Sequence, residues 1–308
     1  MMSSSGQSDG QQASQSALFR GLRDFAISDA DRANAPGLPG ARDVQRYLIA
    51  AAFAAVPCLA AMTYYFGSSV GGMIAVAAIA AAAVETLFAV IRKRPVGGGG
   101  LVFAVLFVLV VPPGIPLWMV AAGSAFGILF GKEVFGGAGH HIFCPVLVGK
   151  AFLVFSYPRV VKGSHFGSML EFGEPNAWMI CVGLTLLGAV AMIVARRSNW
   201  HIFAAIIGTG LGLGWLMRAL ERMPFDSPFH MTAADGFLFG ACFLACNPAC
   251  SPRTRTGKWL YGIIIALAAV LIRCYSTQTE AMMSAILLGN VAAPALDALT
   301  TREREGDE

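Results

Sequence analysis

The chain has 308 residues, of which 56% are hydrophobic and 13% charged, with a mean hydropathy of +0.65. A soluble domain carries about a quarter charged residues, so this composition excludes an ordinary cytosolic enzyme, a disordered regulator and a free nucleic-acid binder. The net charge of +4 is modest, and on a membrane chain the placement of the positive residues says more than their sum.

Residues 1–40 are rich in Ser, Gln, Gly and Ala and contain no apolar run of signal-peptide length. They are expected to form a mostly disordered cytoplasmic tail, with a short helix near Leu18–Phe25. Apolar segments then follow at about 45–66, 70–91, 101–112, 116–131, 142–157, 176–195, 199–218, 233–247, 258–274 and 280–298. A crossing helix needs about 20 apolar residues. The segments that fall short are the ones interrupted by Pro and Gly, so the pattern reads as ten crossings, or eight if the short ones are re-entrant. With ten crossings and a cytoplasmic N-terminus, sixteen of the 22 Lys and Arg fall inside. Five (Arg159, Lys162, Arg218, Arg222 and Arg273) fall outside, and Lys150 lies within a span. That bias supports both the count and cytoplasmic termini.

The chain also repeats itself. Val111-Pro112-Pro113-Gly114-Ile115-Pro116 ends one apolar run, and Asn247-Pro248-Ala249-Cys250-Ser251-Pro252 ends another. Each break carries prolines four residues apart. Val146-Leu147-Val148-Gly149 matches Ile286-Leu287-Leu288-Gly289, and Arg46-Tyr47-Leu48-Ile49-Ala50 resembles Trp200-His201-Ile202-Phe203-Ala204. Five helices per half force the second half upside down. The expected fold is therefore an all-α membrane protein of two inverted five-helix repeats, 41–175 and 176–300, followed by a charged tail at 301–308. Broken helices in matching positions of inverted repeats mark transporter-like folds with a central site.

Several segments, in order and at compatible spacing, resemble one family. They are Pro112-Pro113-Gly114-Ile115-Pro116-Leu117-Trp118, Gly131-Lys132-Glu133-Val134-Phe135-Gly136-Gly137, Lys150-Ala151-Phe152-Leu153, Gly257-Lys258-Trp259 and Glu280-Ala281-Met282-Met283. The family comprises the B subunit of the Na⁺-translocating NADH:quinone reductase and the D subunit of the Rnf complex. Pro228-Phe229-His230 and Ala292-Ala293-Pro294-Ala295-Leu296-Asp297 lean toward the former. The resemblance implies ten helices in two inverted repeats, similar to urea transporters, in a bacterial cytoplasmic membrane. It implies flavin chemistry coupled to Na⁺ or H⁺ translocation, with other membrane and peripheral subunits as partners and quinone as a candidate acceptor. No NADH-binding fingerprint stands in the chain, so NADH oxidation would belong to a partner. A stand-alone channel or transporter with this fold, and a non-redox structural paralogue, are the alternative readings.

The sequence departs from the family pattern at three places. The family carries FMN on a Thr of a Ser-Gly-Ala-Thr motif between the fifth and sixth helices. The corresponding loop here, about 158–175, has no Thr, only Ser164 and Ser168. Covalent FMN is thus expected to be absent, which leaves a non-covalent riboflavin or FMN open. Cys144 stands where the family commonly has Asn, and Asn247 where it has Asp.

The candidate cofactor-contacting residues are Lys132, Glu133, Cys144, Lys150 and Asn247. Glu85 is the candidate for the ion pathway, since a carboxylate inside a membrane helix is costly and functional by default. Snorkelling, or pairing with Lys93 or Arg94, is its structural alternative. Lys132 and Glu133 read equally as interface anchors. Lys150 replaces the family's Arg and loses its planar fork. Cys242, Cys246 and Cys250 are spaced by four, and His140 and His141 stand near Cys144. Neither group matches a metal-binding pattern, and no metal is expected. The Gly97–Gly100 run lacks the context of a phosphate loop and reads as a linker.

Overall fold

A helix occupies each of the ten apolar segments. The computed structural model describes residues 41–93, 99–135, 142–161, 177–194, 199–221, 236–275 and 280–306. In chain order the helices are α1 (Ala41–Phe66), α2 (Ser69–Arg92), α3 (Gly100–Val110), α4 (Leu117–Ile128), α5 (Pro145–Ser156), a single turn α6 (Pro158–Val161), α7 (Ala177–Val194), α8 (Trp200–Ala219), α9 (Phe237–Phe239), α10 (Arg255–Tyr275) and α11 (Ala281–Gly306). Two of them run on into π-helical turns, Leu129–Glu133 after α4 and Gly240–Ala245 after α9. Among the described residues, five helices are long and apolar enough to cross a membrane: α2, α8 and α10 throughout, α1 from Arg46 and α11 to Thr300. The N-terminal tail expected at 1–40, with its short helix, lies outside the described residues.

The short helices lie inside the long ones. From Phe103 to Val111, α3 is buried on nearly every side, and Phe237 to Cys246 are buried without exception. An all-round apolar helix needs such a surrounding. In the first half, α2 packs on α3 and α4, α4 on α5, and α1 on α3. In the second half, α8 packs on α10, α10 on α11, and both α8 and α11 on the π turn after α9. The halves meet where α1 packs on α7 and α5 on α11.

The α4–α5 contact comes from a row of small residues. Gly123, Gly127 and Gly131 stand four apart on α4 and its π turn. A Cβ at Gly127 would come within 2.7 Å of the Pro145 carbonyl oxygen, and one at Gly149 within 2.5 Å of the Gly123 carbonyl oxygen. Backbones approach this closely only where neither side carries a side chain, the usual basis of helix association in lipid. That approach brings the start of α5 against the end of α4, where the polar residues are.

Both proline breaks end a buried helix. After Val110 the backbone turns extended at Val111, and α4 restarts at Leu117. After Ala245 the chain forms tight turns in which the Asn247 carbonyl accepts the N–H groups of Cys250 and Ser251. Backbone groups freed this way are tolerable in a membrane only where protein surrounds them.

Candidate functional site

Several helix ends converge on one polar cluster. Glu85, in the last third of α2, and Lys132, in the π turn after α4, are 47 residues apart in sequence. The Lys132 Nζ donates to Glu85 Oε1 at 2.6 Å, with side chains only 7% and 4% exposed. Burial this deep excludes snorkelling, and the partner is neither Lys93 nor an interfacial group. Lys93 instead ends α2 in a left-handed conformation. Lys132 and Glu133 are both buried, so neither anchors the chain at an interface. The charge of Glu133 also reaches Glu85.

Beside the pair is a cavity of about 50 Å³, lined by Glu85, Lys132, Cys144, Asn247, Gly99 and Phe243 among others. Four sequence-predicted residues thus share one space. Room for a few waters or one partly hydrated ion is what this volume offers.

Each lining residue has a local reason to be there. Cys144 caps α5, whose first residue is Pro145, and proline suits that position because its missing N–H would go unused. The Cys144 carbonyl accepts from Leu147 and Val148, at 3.0 and 3.1 Å. Asn247 Oδ1 accepts the Ala249 N–H at 3.1 Å, an Asx turn that shapes the break. An Asp would serve equally as that acceptor, so the neutral side chain preserves the turn while removing a charge. Gly99 has φ of +139°, and a Cβ at Gly100 would sit 3.3 Å from Glu85 Oε2. The glycine run therefore does more than link helices: it lets the α3 N-terminus, with its partial positive charge, close on the carboxylate.

Lys150 lies elsewhere. Its Nζ is 2.5 Å from Glu280 Oε2, with side chains 3% and 8% exposed, and this pair bridges α5 to the start of α11. Glu280 Oε1 is buried with no hydrogen-bond partner among the described residues. The α5–α11 junction is thus a second buried ion pair, between the halves of the chain.

Sequence reasoning missed several partners. Tyr47 donates to the Phe243 carbonyl at 3.1 Å and the Cys242 carbonyl at 3.4 Å, so α1 ties down the π turn after α9. Tyr261 donates to Asn290 Oδ1 at 2.7 Å. A lone Tyr in an apolar run signals only that its hydroxyl must find a partner. Cys246 Sγ donates to the Ala241 carbonyl at 3.2 Å, and Cys242 and Cys250 are buried. Among the described residues, no three His, Cys, Asp or Glu side chains converge as metal ligands. His140, His141, Ser164 and Ser168, and the rest of the 158–175 loop from Lys162 onward, lie outside the described residues.

Long apolar helices around buried broken ones, with ionisable residues paired inside, define an all-helical membrane protein. The chain belongs to the NQR2, RnfD, RnfE family, which it matches over residues 32–306. It is 34% identical over 250 residues to the B subunit of the Na⁺-translocating NADH-quinone reductase of Pseudomonas paraeruginosa. The identity is 36% over 251 residues to the same protein of Azotobacter vinelandii and 32% over 255 residues to that of Yersinia pestis. Each alignment covers 69% of this chain and 62% of the relative, so the chain spans less than two thirds of the length of these relatives.

Proposed function

We propose that the chain is the membrane subunit of an ion-translocating electron-transport complex, of the NADH:quinone or ferredoxin:NAD type, in a bacterial cytoplasmic membrane. The observation that carries this is the buried Glu85–Lys132 pair beside an ion-sized cavity that residues of both halves line, with Asn247 of the second-half break among them. Intramembrane carboxylates at helix breaks are where cations are held in transporters. The relatives named above are subunits of a Na⁺-translocating reductase, which favours other subunits as partners. A flavin would be non-covalent. Quinone would be the electron acceptor of the complex.

The inverted five-helix repeat is part of this reading. It is supported by the packing: α2 on α4 recurs as α8 on α10, and α4 on α5 recurs as α10 on α11. The matched Gly149 and Gly289 stretches fall on α5 and α11, as an offset of five spans requires. The Arg46–Ala50 and Trp200–Ala204 stretches do not follow that offset, since they open α1 and α8. Glu85, Lys132, Cys144 and Asn247 lie toward one side of the membrane, which the charge bias assigns to the cytoplasm.

A tagged chain purified from native membranes is expected to bring partner subunits with it. Electron transfer by that complex should drive cation uptake into inverted vesicles, and Glu85→Gln should slow uptake at least ~10-fold, the order expected when an interaction of about 1.4 kcal/mol is removed. A chain that purifies alone and conducts a small solute in liposomes would establish the stand-alone channel instead.

A further inference from the structure

The Lys132 ammonium stands where a bound cation would stand. It is a single positive charge, 2.6 Å from a carboxylate oxygen, and both side chains are more than nine-tenths buried. Both face a cavity that still has room for a small ion or a few waters. Asn247, which also lines it, follows the end of a broken helix, and Phe243 and Leu244 of that helix line it too. Carbonyl groups at such ends are the usual ligands of monovalent cations in membranes.

We propose that Lys132 is a tethered competitor of the translocated cation. With no ion present, its ammonium neutralises Glu85. A monovalent cation reaching Glu85 displaces it, and the departure of that cation draws it back. This rests on the reading of the cavity as part of the cation's path, and adds to it how the site is kept neutral.

Charge balance carries the argument. A bare carboxylate in this interior is strongly unfavourable, and so are two positive charges against one carboxylate. One cation in and one ammonium out keeps Glu85 neutralised throughout.

The local structure allows the exchange. Lys132 lies in a π-helical turn of five residues, Leu129–Glu133, a geometry found often at functional sites and locally irregular. Its stem is flexible. The charge of Glu133 reaches the same place, so a second carboxylate is at hand for the displaced ammonium. Two residues past Lys132, Val134 is 51% exposed, which puts the surface within a side chain's length.

An Arg would behave differently. Its planar fork grips a carboxylate through two bonds, so it would hold Glu85 more firmly than a cation could.

Equilibrium binding of ²²Na⁺ to the purified full complex tests this, with Lys132→Gln, Lys132→Arg, Glu85→Gln and the Glu85→Gln/Lys132→Gln pair. Lys132→Gln is expected to tighten Na⁺ binding at least ~10-fold, Lys132→Arg to weaken it by as much, each the equivalent of about 1.4 kcal/mol. Both proteins carrying the Glu85→Gln change should lose the site. Thermal stability gives a second readout that survives a poorly folding variant. Lys132→Gln should be stabilised by NaCl over choline chloride far more than wild type, because Na⁺ then replaces the missing ammonium. If Glu85→Gln abolishes binding while Lys132→Gln neither tightens it nor gains a Na⁺-dependent stability, the competitor role is overturned and the path reading stands. If Glu85→Gln binds Na⁺ like wild type, or wild type and Lys132→Gln both fail to bind it, the path reading falls and this proposal falls with it.

Discussion

Removing one partner of the Lys150–Glu280 pair should destabilise the chain far more than removing both. The two charges are 2.5 Å apart, with exposures of 3% and 8%. They join α5 of the first half to the start of α11 in the second. Truncating one partner of such a pair leaves an isolated buried charge, at a cost of about 3–5 kcal/mol. Glu280 already has one oxygen without a partner among the described residues, and Lys150→Met would leave the Arg273 charge, which also reaches Glu280, as the carboxylate's remaining compensation, so its cost should fall in the middle of that range. Glu280→Gln should fall at the lower part, since an amide can still accept from the ammonium. The double variant Lys150→Met/Glu280→Gln should recover most of the loss, because a neutral pair of similar volume is often no worse than a buried ion pair. Thermal unfolding in detergent, followed by tryptophan fluorescence, ranks the four proteins. The expected order is wild type and double variant together, then Glu280→Gln, then Lys150→Met. Losses that simply add in the double variant would refute the reasoning, since additivity is the behaviour of residues that do not interact.

Gly149→Ala should loosen α5 from α4: its Cβ must move from 2.5 Å to an ordinary 3.4 Å from the Gly123 carbonyl, at a cost of about 1–3 kcal/mol, read as a lower unfolding temperature. Tyr47→Phe strands the Phe243 and Cys242 carbonyls and should cost about 1–3 kcal/mol, while raising proteolysis near the π turn. Asp297→Ala removes the acceptor for the Arg253 and Thr254 N–H groups and should cost about 0.5–2 kcal/mol; Asp297→Asn, which keeps an acceptor oxygen, should lose less. A wild-type chain and its Asp297→Asn variant that unfold at the same temperature as Asp297→Ala would show that the acceptor carries no stability.

The fold was legible because lipid leaves a chain few options. Each apolar run is a helix, since no other open structure satisfies its backbone in hydrocarbon, and prolines mark where the helices stop. Most ends were read to within a few residues; α11 runs on to Gly306, eight residues past the apolar segment, and α10 starts at Arg255, where the Thr254 hydroxyl accepts from the Gly257 N–H at 3.0 Å. The cluster was legible residue by residue but not as a cluster. Glu85 announces itself by being charged in an apolar helix, yet its partner stands 47 positions away, and nothing in local spacing points across that distance. Nearness in sequence favoured Lys93 and Arg94, but Lys93 caps the end of α2, whereas Glu85 faces inward toward α3 and α4. The glycine row Gly123, Gly127, Gly131 was in plain view as a repeat of four. It decides which residues meet, because it draws α5 onto α4 and so sets Cys144 beside Lys132.

The two buried ion pairs divide the work between holding the fold and leaving it able to act. Lys150–Glu280 joins the halves and stands apart from the cavity that Glu85 lines, so breaking it has only cost. Glu85–Lys132 has equal burial and a similar distance, but it borders open space, a π turn and a second carboxylate. Identical chemistry is therefore fixed in one place and exchangeable in the other, and the difference lies in what surrounds each pair. A chain with so few charges does not place four of its most buried ones in pairs by chance of composition: each buried charge requires a partner, and the pair beside the cavity gives that partner somewhere to go.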